Sequence, residues 1–541
     1  MRASYWDLSV CIDEAQHLTV LLFLFYCRYR LCRRGQTDYC RRNQRQDYWQ
    51  SQSRRGLVLV SAESCLFRSS ACLLRGNHLT FETSPCCTNS GNGATSAVEL
   101  LIDCLGIRHA SGDVPNRPVV FVGPYEHHSN LVPWRESGCE IVMVPECQTT
   151  RSVDIRALER LLQTPSFEGR LKMGTFTAAS NVTGKVSDVD RIAATLHRFS
   201  ALALFDYATG APYLPMDMNP PPSSQYPSAF LVAKDAIFLS PHKMIGGVGS
   251  PGVLIVKKNL VNQVNAPSRS GGGTVFYVTN THHRFLSNRI ERYEGGTPNV
   301  VGILRVGLAF LLKRTAEEKF AKLAFAKVKD ESAESVPRSI EEYDCTTHAK
   351  VAAYLRKHAP NLVLLGAEDP EGNLPIFSFL IRFETRFLHF NYVSAILNDV
   401  FGIQSRGGCQ CSGPYSQRLL GLTMMTRDGE VPNQQNKDIE TALLHFKERA
   451  ELLRPGYTRL SLPFKGLHTE EVDYVAKALV WVAEHGWALM CQYRCNHRTG
   501  EVSFCVCVYV CCLLRIAVLL MSAPLLSKLV ATLQSPRQAV G

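Results

Sequence analysis

A lysine follows an apolar run in the middle of the chain. The segment "IFLSPHKMIGGVGSPGVLIVKK" (237–258) places Lys243 between two runs that read as buried strands, with glycines on its far side. Such a strand end lies at the rim of a sheet, where α/β proteins bind ligands. A lysine amine at this place can form a Schiff base with a carbonyl compound, whereas the alternative is a surface lysine on a connecting loop.

Other predicted strand ends also carry polar groups. These segments are "GNGATSAVELL" (91–101), "GPYEHHSNLVPW" (123–134), "TAASNVTG" (177–184), "FDYATGAPY" (205–213) and, further along, "YEGGTPN" (293–299). Each segment alone is weak evidence for a functional site. The order and spacing of the segments along the chain make the set informative.

The elements that must position these groups alternate between strand and helix. Short β-rich runs are predicted at 117–123, 140–145, 171–176, 201–208, 236–241 and 252–258. Between two of them, "DVDRIAATLHRF" (188–199) repeats Ile192, Leu196 and Phe199 at helical spacing. The alternation predicts an α/β fold with a mainly parallel sheet covered on both faces.

A second part of different character begins near Ala309. A long helix is predicted over 301–330, a strand over 374–383, and helices over 390–402 and 470–486. A chain of 541 residues also exceeds what one core usually serves. We therefore predict a large domain over 88–310 and a smaller α+β domain over 311–501.

Charge and cysteine are concentrated at the two ends. Much of the net charge of +11 lies in the arginine-rich first 90 residues and the acid-free last 40, so the nearly neutral middle argues against nucleic-acid binding. Of 20 cysteines, eight precede residue 88 and six follow residue 490. The middle is therefore typical of a reduced, cytoplasmic protein, and no spacing predicts a metal site.

The ends differ from the middle in pattern as well. "VSFCVCVYVCC" opens an apolar tail (502–541) that we interpret as translated noncoding sequence. Residues 1–87 match no expected element, and they are either of similar origin or a disordered extension. The apolar stretches at 18–27 and 502–526 are weak candidates for an organelle or membrane address, because the first is short and Arg515 interrupts the second.

Taken in order, the motifs of residues 88–500 resemble the class V aminotransferase and cysteine desulfurase family of pyridoxal-phosphate enzymes. The resemblance implies a PLP-dependent transferase (aspartate aminotransferase-like) large domain with a smaller C-terminal domain, and pyridoxal 5'-phosphate as cofactor. Lys243 matches the lysine that forms the Schiff base with this cofactor. Asp206 matches the carboxylate that faces the ring nitrogen, His127 matches the residue that stacks on the ring, and Asn181 is similar to the asparagine near the ring hydroxyl.

The resemblance also implies a phosphate site and a homodimer. The predicted phosphate-binding residues are Ala94, Thr95, Ser240 and His242. Thr297 resembles a threonine that reaches the phosphate of the neighbouring subunit, so shared sites are expected. His128 is given only a structural role.

The expected substrate is a small amino acid. Arg459 in "GYTRLSLPF" matches the family arginine that binds the substrate carboxylate, and Arg406 in "IQSRGG" matches a second arginine of the desulfurase pattern. Salt bridges to acidic side chains are the alternative role for both. Cys411 stands five residues after Arg406, where desulfurases with an "RTGHHCA" pattern carry the thiol that accepts sulfur.

The leading prediction is cysteine desulfuration, which implies a sulfur-acceptor protein as a further partner. The local sequence "RGGCQCSGPY" lacks both histidines of the pattern and adds Cys409, so Cys411 as an ordinary loop cysteine stays open. Thr209 stands where the family has a glutamine, and the usual N-terminal segment is not recognisable. The alternatives are an aminotransferase or other lyase without a catalytic thiol, and a catalytically silent, mis-spliced family member.

Overall fold

The structure is a computed structural model. It describes residues 85–90, 92–108, 117–261, 266–327, 337, 339–366, 372–426, 429–446, 450–462 and 469–505. The chain divides into two units. The large unit contains the residues up to Ala349, residues 368–375 and Cys411–Tyr415, and the small unit contains the rest. Residues 1–84 of the predicted N-terminal extension, with its apolar stretch, and most of the C-terminal tail lie outside the described residues, while residues 85–87 of that extension belong to a strand.

The large unit contains the predicted succession of strands and helices. Its elements are β1 (Pro85–Ser90), α1 (Gly93–Leu105), β2 (Val119–Val122), α2 (Val132–Glu136), β3 (Glu140–Met143), α3 (Ile155–Leu162), β4 (Lys172–Thr177), α4 (Val189–Arg198), β5 (Leu202–Asp206), α5 (Ala229–Val232), β6 (Ala236–Leu239), β7 (Gly252–Lys257), β8 (Val275–Val278), β9 (His283–Phe285), α6 (Val300–Lys327) and the first half of α7 (Ile340–His358).

Seven of these strands form one sheet in the order β1-β7-β6-β5-β4-β2-β3. Strands β2 to β6 pair in parallel, while β7 runs antiparallel to β6 and β1 runs antiparallel to β7. The predicted α/β fold with a mainly parallel sheet is confirmed. The sequence pattern did not predict β1, because "PCCTNS" contains a single β-branched residue, Thr88, and no Val or Ile.

Burial explains why the central strands read as continuous apolar runs. All four residues of β2 and all four of β6 are buried, as expected for parallel strands covered on both faces. On one face, α1 packs against Val120, Phe238 and Leu254 in the main core cluster. Helix α1 then ends at Gly106, whose left-handed backbone (φ 71°) lets its N–H reach the last carbonyls of the helix.

The small unit has its own antiparallel sheet and core. Its elements are the second half of α7, β10 (Leu362–Leu364), β11 (Ile376–Phe383), β12 (Arg386–Phe387), α8 (Phe390–Phe401), β13 (Arg406–Gly408), most of α9 (Gly413–Leu419), β14 (Thr423–Thr426), β15 (Gly429–Pro432), α10 (Gln434–His445), β16 (Tyr457–Ser461), α11 (Thr469–His485), β17 (Tyr493–Cys495) and β18 (Val502–Phe504).

The main sheet of the small unit has the order β10-β11-β16-β13, with β12 on β11. Phe377 and Phe379 of β11 pack in one core cluster with Leu397 of α8 and Leu479 of α11. The domain limit predicted at residues 310 and 311 falls inside α6. Within the described residues, no helix is both long enough and apolar enough to cross a bilayer.

A buried cluster of charged groups joins strands β5, β6 and β7. The Asp235 carboxylate accepts hydrogen bonds from Lys257 Nζ (2.8 Å) and from the backbone N–H of Ala203 (2.8 Å), and it lies 2.9 Å from His197 Nε2. Burial alone raises the pKa of Asp235, but the contact with His197 and the charge of Lys257 outweigh burial and hold it below its usual range.

We expect Asp235→Ala to lower the free energy of unfolding by about 3–5 kcal/mol, because it leaves the buried Lys257 ammonium without its carboxylate. Urea unfolding measures this loss. Since the pKa of Asp235 is lowered by folding, its stabilising contribution is present above the unfolded pKa and is lost as the pH falls through the folded one. The advantage of the wild type should therefore shrink in acid.

Arg314→Ala is the matched control, since it removes a charge from the exposed Arg314–Glu318 pair on α6. It should leave the unfolding midpoint unchanged. A loss below about 1 kcal/mol for Asp235→Ala would show that the cluster does not stabilise the sheet.

Candidate active site

Lys243 lies in a single helical turn, Pro241–Lys243, directly after β6. Its backbone N–H donates to the carbonyl of Ser240 (3.0 Å), and its side chain is exposed. The carboxyl ends of β2, β4 and β5 lie at the same edge of the sheet as this turn, because the four strands are parallel. The predicted polar segments that follow β2, β4, β5 and β6 therefore all lie at this edge of the sheet.

Asp206 is the last residue of β5 and is almost fully buried (2% exposed). Its Oδ1 accepts a hydrogen bond from the N–H of Ala208 at 2.7 Å. Burial raises the pKa of Asp206, and that hydrogen bond and the charge of Lys243 oppose the rise. A buried carboxyl with a cationic neighbour suits a group that must keep a ring nitrogen protonated.

The start of α1 lies against the lysine turn. The Ala94 N–H donates to Ser240 Oγ at 2.8 Å. Gly93 has a left-handed backbone (φ 64°), and a Cβ on it would come within 2.8 Å of the His242 ring. Burial, followed by the charge of Lys243, lowers the pKa of His242. The structure therefore brings together three of the four predicted phosphate-binding residues.

A cavity at this junction offers further hydrogen-bond donors. Its lining consists of Asn92, Gly93, His242, Gly249, Ser250, Pro251 and Asn299. Ser250 is 8% exposed, and its Oγ is buried without a hydrogen-bond partner in the part of the chain that the structure describes. A helix start, an imidazole and an unsatisfied hydroxyl fit a phosphate group. Sequence reasoning missed Ser250, although its glycine-flanked position in "GVGSPG" was a usable signal.

His127 follows β2 and is oriented by a neighbouring hydroxyl. Its Nδ1 accepts a hydrogen bond from the Ser129 N–H at 3.1 Å, and Ser129 Oγ lies 2.6 Å from Thr95 Oγ1 on α1. Ser129 therefore links the predicted stacking residue to the fourth predicted phosphate-binding residue. No role for Ser129 was predicted, because its partner Thr95 lies 34 residues away in the chain.

The buried Glu126 side chain forms hydrogen bonds that hold the segment around His127 in place. Its Oε1 accepts from the Thr177 N–H (2.8 Å), and its Oε2 accepts from Asn130 Nδ2 (2.5 Å). Asn130 Oδ1 in turn accepts from Trp134 Nε1 (3.1 Å) and Thr175 Oγ1 (2.6 Å). Complete burial raises the pKa of Glu126 to about 8.

Cys411 belongs to the large unit and is held in contact with His128. Its carbonyl accepts a hydrogen bond from the His128 N–H at 2.7 Å, and the Gly413 N–H donates to His128 Nε2 at 2.8 Å. Gln410 and Cys411 both have φ 56°, a left-handed conformation that costs a non-glycine residue about 1–3 kcal/mol. Strain at the predicted nucleophile is what a functional loop would show, and the ring contact of His128 was not predicted.

The two predicted substrate arginines are neighbours within the small unit. Arg406 of β13 and Arg459 of β16 occupy directly opposed positions in an antiparallel pair. Opposed residues carry their side chains on the same face of a sheet, where two like charges repel each other. The pair is therefore a favourable place for an anionic group such as a carboxylate.

The remaining predicted residues lie in loops of the large unit. Asn181 follows β4 and is 9% exposed. Thr209 is half-buried in the turn after Asp206, and Thr297 is exposed between Gly296 and Pro298. Among the described residues, no group of three or more His, Cys, Asp or Glu side chains could hold a metal ion.

Two solved structures with a similar fold are cysteine desulfurases. The apo cysteine desulfurase of Thermococcus onnurineus NA1 matches with a TM-score of 0.54 and 18% identity, over 78% of this chain and 84% of that one. The cysteine desulfurase CsdA of Escherichia coli matches with a TM-score of 0.53 and 19% identity, over 84% and 90%. The fold is thus that of the fold-type I pyridoxal-phosphate enzymes.

Residues 91–441 match the model of the aminotransferase class-V family, and the chain belongs to that family. Among curated proteins it is 26% identical over 366 residues to the cysteine desulfurase CsdA of Escherichia coli (strain K12), covering 67% of this chain and 78% of CsdA. It is 25% identical over 365 residues to a cysteine desulfurase of Enterobacter sp. (strain 638), covering 67% and 77%. The resemblance stated from the motifs is confirmed.

The raised pKa of Glu126 predicts a dependence of stability on pH. Because folding raises this pKa from 4.5 to about 8, its contribution is fully present below pH 4.5 and is lost as the pH rises to about 8. Glu126→Gln does not titrate, so its free energy of unfolding should gain on the wild type by up to about 5 kcal/mol across that range. Urea unfolding at several pH values measures the difference. A difference that stays constant with pH would contradict a protonated Glu126.

Proposed function

We propose that this protein is a pyridoxal-phosphate-dependent cysteine desulfurase in which Lys243 holds the cofactor and Cys411 takes the sulfur. The observation that carries the proposal is the position of Cys411. Its loop is hydrogen-bonded to His128, directly after the predicted stacking residue and at the sheet edge that carries Lys243 and Asp206. The curated relatives, which are named cysteine desulfurases, support the same reaction.

The chain's own residues fit the cofactor. When bound, pyridoxal phosphate withdraws electrons from the substrate carbon attached to its imine nitrogen. Asp206 would keep the ring nitrogen protonated, His127 would pack on the ring, and Asn181 would contact the ring hydroxyl. The α1 start at Ala94 would bind the phosphate together with the side chains of Thr95, Ser240, His242 and the unpredicted Ser250.

Lys243 would have a second task when the substrate is bound. Its free Nζ would act as a base that takes a proton from the substrate Cα. The charge of Lys243 opposes the rise that burial causes in the pKa of Asp206, so the two groups interact electrostatically. Thr209 does not offer the amide of the family glutamine, so Asn181 would be the side chain that contacts the ring hydroxyl.

Cys411 performs the step that separates this reaction from transamination. Its thiolate attacks the substrate sulfur, a sulfur–sulfur bond forms, and the bond between that sulfur and the substrate Cβ breaks. The electron pair left on the substrate takes up a proton at Cβ. Overall, L-cysteine and the Cys411 thiol give L-alanine and a Cys411 persulfide, with no external oxidant or reductant.

The protein would bind a small amino-acid substrate, a second copy of the chain and a sulfur acceptor. Arg459 binds the substrate carboxylate and Arg406 supports it, as their opposed positions on one sheet face favour. The exposed position of Thr297 suits contact with a second copy of the chain, so we propose a homodimer. A sulfur-acceptor protein would receive the persulfide sulfur, and the cytoplasm is the compartment we expect from the cysteine distribution.

A second candidate is an aminotransferase or lyase reaction that uses no thiol. The observation that favours it is the loop "RGGCQCSGPY", which lacks the histidines of the desulfurase pattern and carries Cys409 as a second thiol. The same cofactor residues would serve this reaction. Only the role of Cys411 separates the two candidates.

We expect purified protein supplied with pyridoxal phosphate to show visible absorption that borohydride removes. Peptide mass mapping should place the reduced adduct on Lys243, because its amine alone follows β6 at the site edge. Lys243→Ala should give no adduct, while Lys258→Ala, a control at the far end of β7, should leave it in place. An adduct on another lysine, or none, would refute the cofactor assignment.

Cys411→Ala should abolish the release of sulfide from L-cysteine in the presence of a reductant and leave cofactor absorption unchanged. Its matched control is Cys409→Ala, two residues away in the small unit, which should retain most of the activity. Coupled assays of sulfide and alanine measure both variants. Full activity of Cys411→Ala would favour the reaction without a thiol.

A further inference from the structure

We propose that His128 is a positioning residue that clamps the Cys411 loop at the active site. The inference rests on the proposed function, since it concerns the residue that takes the sulfur. Sequence reasoning gave His128 only an unspecified structural role, whereas the structure shows it joined to the thiol loop by both its main chain and its ring.

His128 forms hydrogen bonds with the two loop residues on either side of Ser412. The His128 N–H donates to the Cys411 carbonyl (2.7 Å), and the Gly413 N–H donates to His128 Nε2 (2.8 Å). Gly413 is the first residue of α9, so its N–H has no partner within the helix and the imidazole supplies one. A Cβ on Gly413 would lie 3.0 Å from His128 Nε2, which shows how closely the two approach.

The residue between the two contacts is anchored to the same segment. Ser412 is fully buried, and its hydroxyl donates to the carbonyl of Glu126 (2.9 Å), with the carbonyl of Tyr125 at 3.3 Å. Three consecutive loop residues are thus tied to the four residues 125–128. His127, the predicted stacking residue, lies within that stretch, so the clamp couples the thiol loop to the cofactor face.

The ring contact requires a neutral imidazole. His128 Nε2 accepts the Gly413 N–H, so the ring proton must be on Nδ1 and a protonated ring could not make this bond. Burial, with a smaller effect of the Arg135 charge, lowers the pKa of His128 and keeps the ring neutral. The clamp is therefore formed at neutral pH.

The conformation of the loop explains why a clamp is needed. Gln410 and Cys411 are two consecutive non-glycine residues with left-handed backbones, a conformation that local sterics oppose. Gly407 and Gly408 precede them and add backbone freedom. Without tertiary hydrogen bonds the loop would relax, and Cys411 would no longer be held at the site. A nucleophile acts efficiently only when it is held close to its attack geometry.

The test measures how accessible the thiol is, independently of turnover. The protein with bound pyridoxal phosphate is treated with iodoacetamide, and alkylation of Cys411 is followed by peptide mass mapping. Cys147 is an internal reference, because it lies on a separate loop and its hydrogen bond to Thr149 lowers its pKa to about 7. In His128→Ala, alkylation of Cys411 should be about three- to tenfold faster than in the wild type, since one hydrogen bond and its packing are lost. Alkylation of Cys147 should be unchanged.

His128→Gln is the matched variant, because its side-chain oxygen can accept from the Gly413 N–H. It should restore slow alkylation and most of the sulfide release that His128→Ala loses, with equal cofactor absorption in all three proteins. Ser412→Ala removes a different anchor of the same loop and should also speed alkylation of Cys411. It keeps the test decisive where His128→Ala does not fold.

Alkylation of Cys411 at or below the wild-type rate in His128→Ala and Ser412→Ala would overturn the clamp. Failure of the proposed function gives a different result, because Cys411→Ala would then retain sulfide release. The alkylation rates would still report on the clamp in that case. The two proposals can thus fail separately.

Discussion

The close approach of the α1 start to the turn that carries Lys243 is the contact on which the site depends. A side chain at Gly93 would collide with the His242 ring, and a side chain at Gly252 would come within 2.0 Å of the Gly93 carbonyl oxygen. Two glycines on separate elements therefore let the helix start, the lysine turn and β7 meet. The Ala94 N–H to Ser240 contact forms only at this separation. The other groups of the large unit are arranged around it.

Parallel pairing brings the remaining groups to the same edge of the sheet. Because β2, β4, β5 and β6 all end there, a carboxylate, an imidazole, an amide and an amine lie at or just after the ends of these strands. The buried Glu126 carboxyl then fixes the connection after β2 to β4 through the Thr177 N–H. A buried polar group is retained in such a core only where its hydrogen bonds are satisfied, and here both carboxyl oxygens have partners.

The sequence was sufficient to predict the fold and to propose residues for the chemistry, but not to predict the residues that hold them in place. Strand and helix periodicity predicted the sheet, and the motif order put Lys243, Asp206 and Ser240 in one site. Ser129, Ser250 and Glu126 were missed because their roles depend on contacts that no local pattern encodes. His128 shows this most clearly, since its ring partner Gly413 is 285 residues away. The opposed register of Arg406 and Arg459 likewise depends on pairing between distant strands.

The most direct test of the account is the mass of the Cys411 peptide after the cofactor-loaded protein meets L-cysteine without reductant. We predict that, after blocking with iodoacetamide and digestion, this peptide carries one additional sulfur atom, that the Cys409 position does not, and that one L-alanine is formed per persulfide in the first turnover. Formation of alanine or a keto acid with no additional sulfur on Cys411 would contradict the central claim that this thiol is the sulfur acceptor.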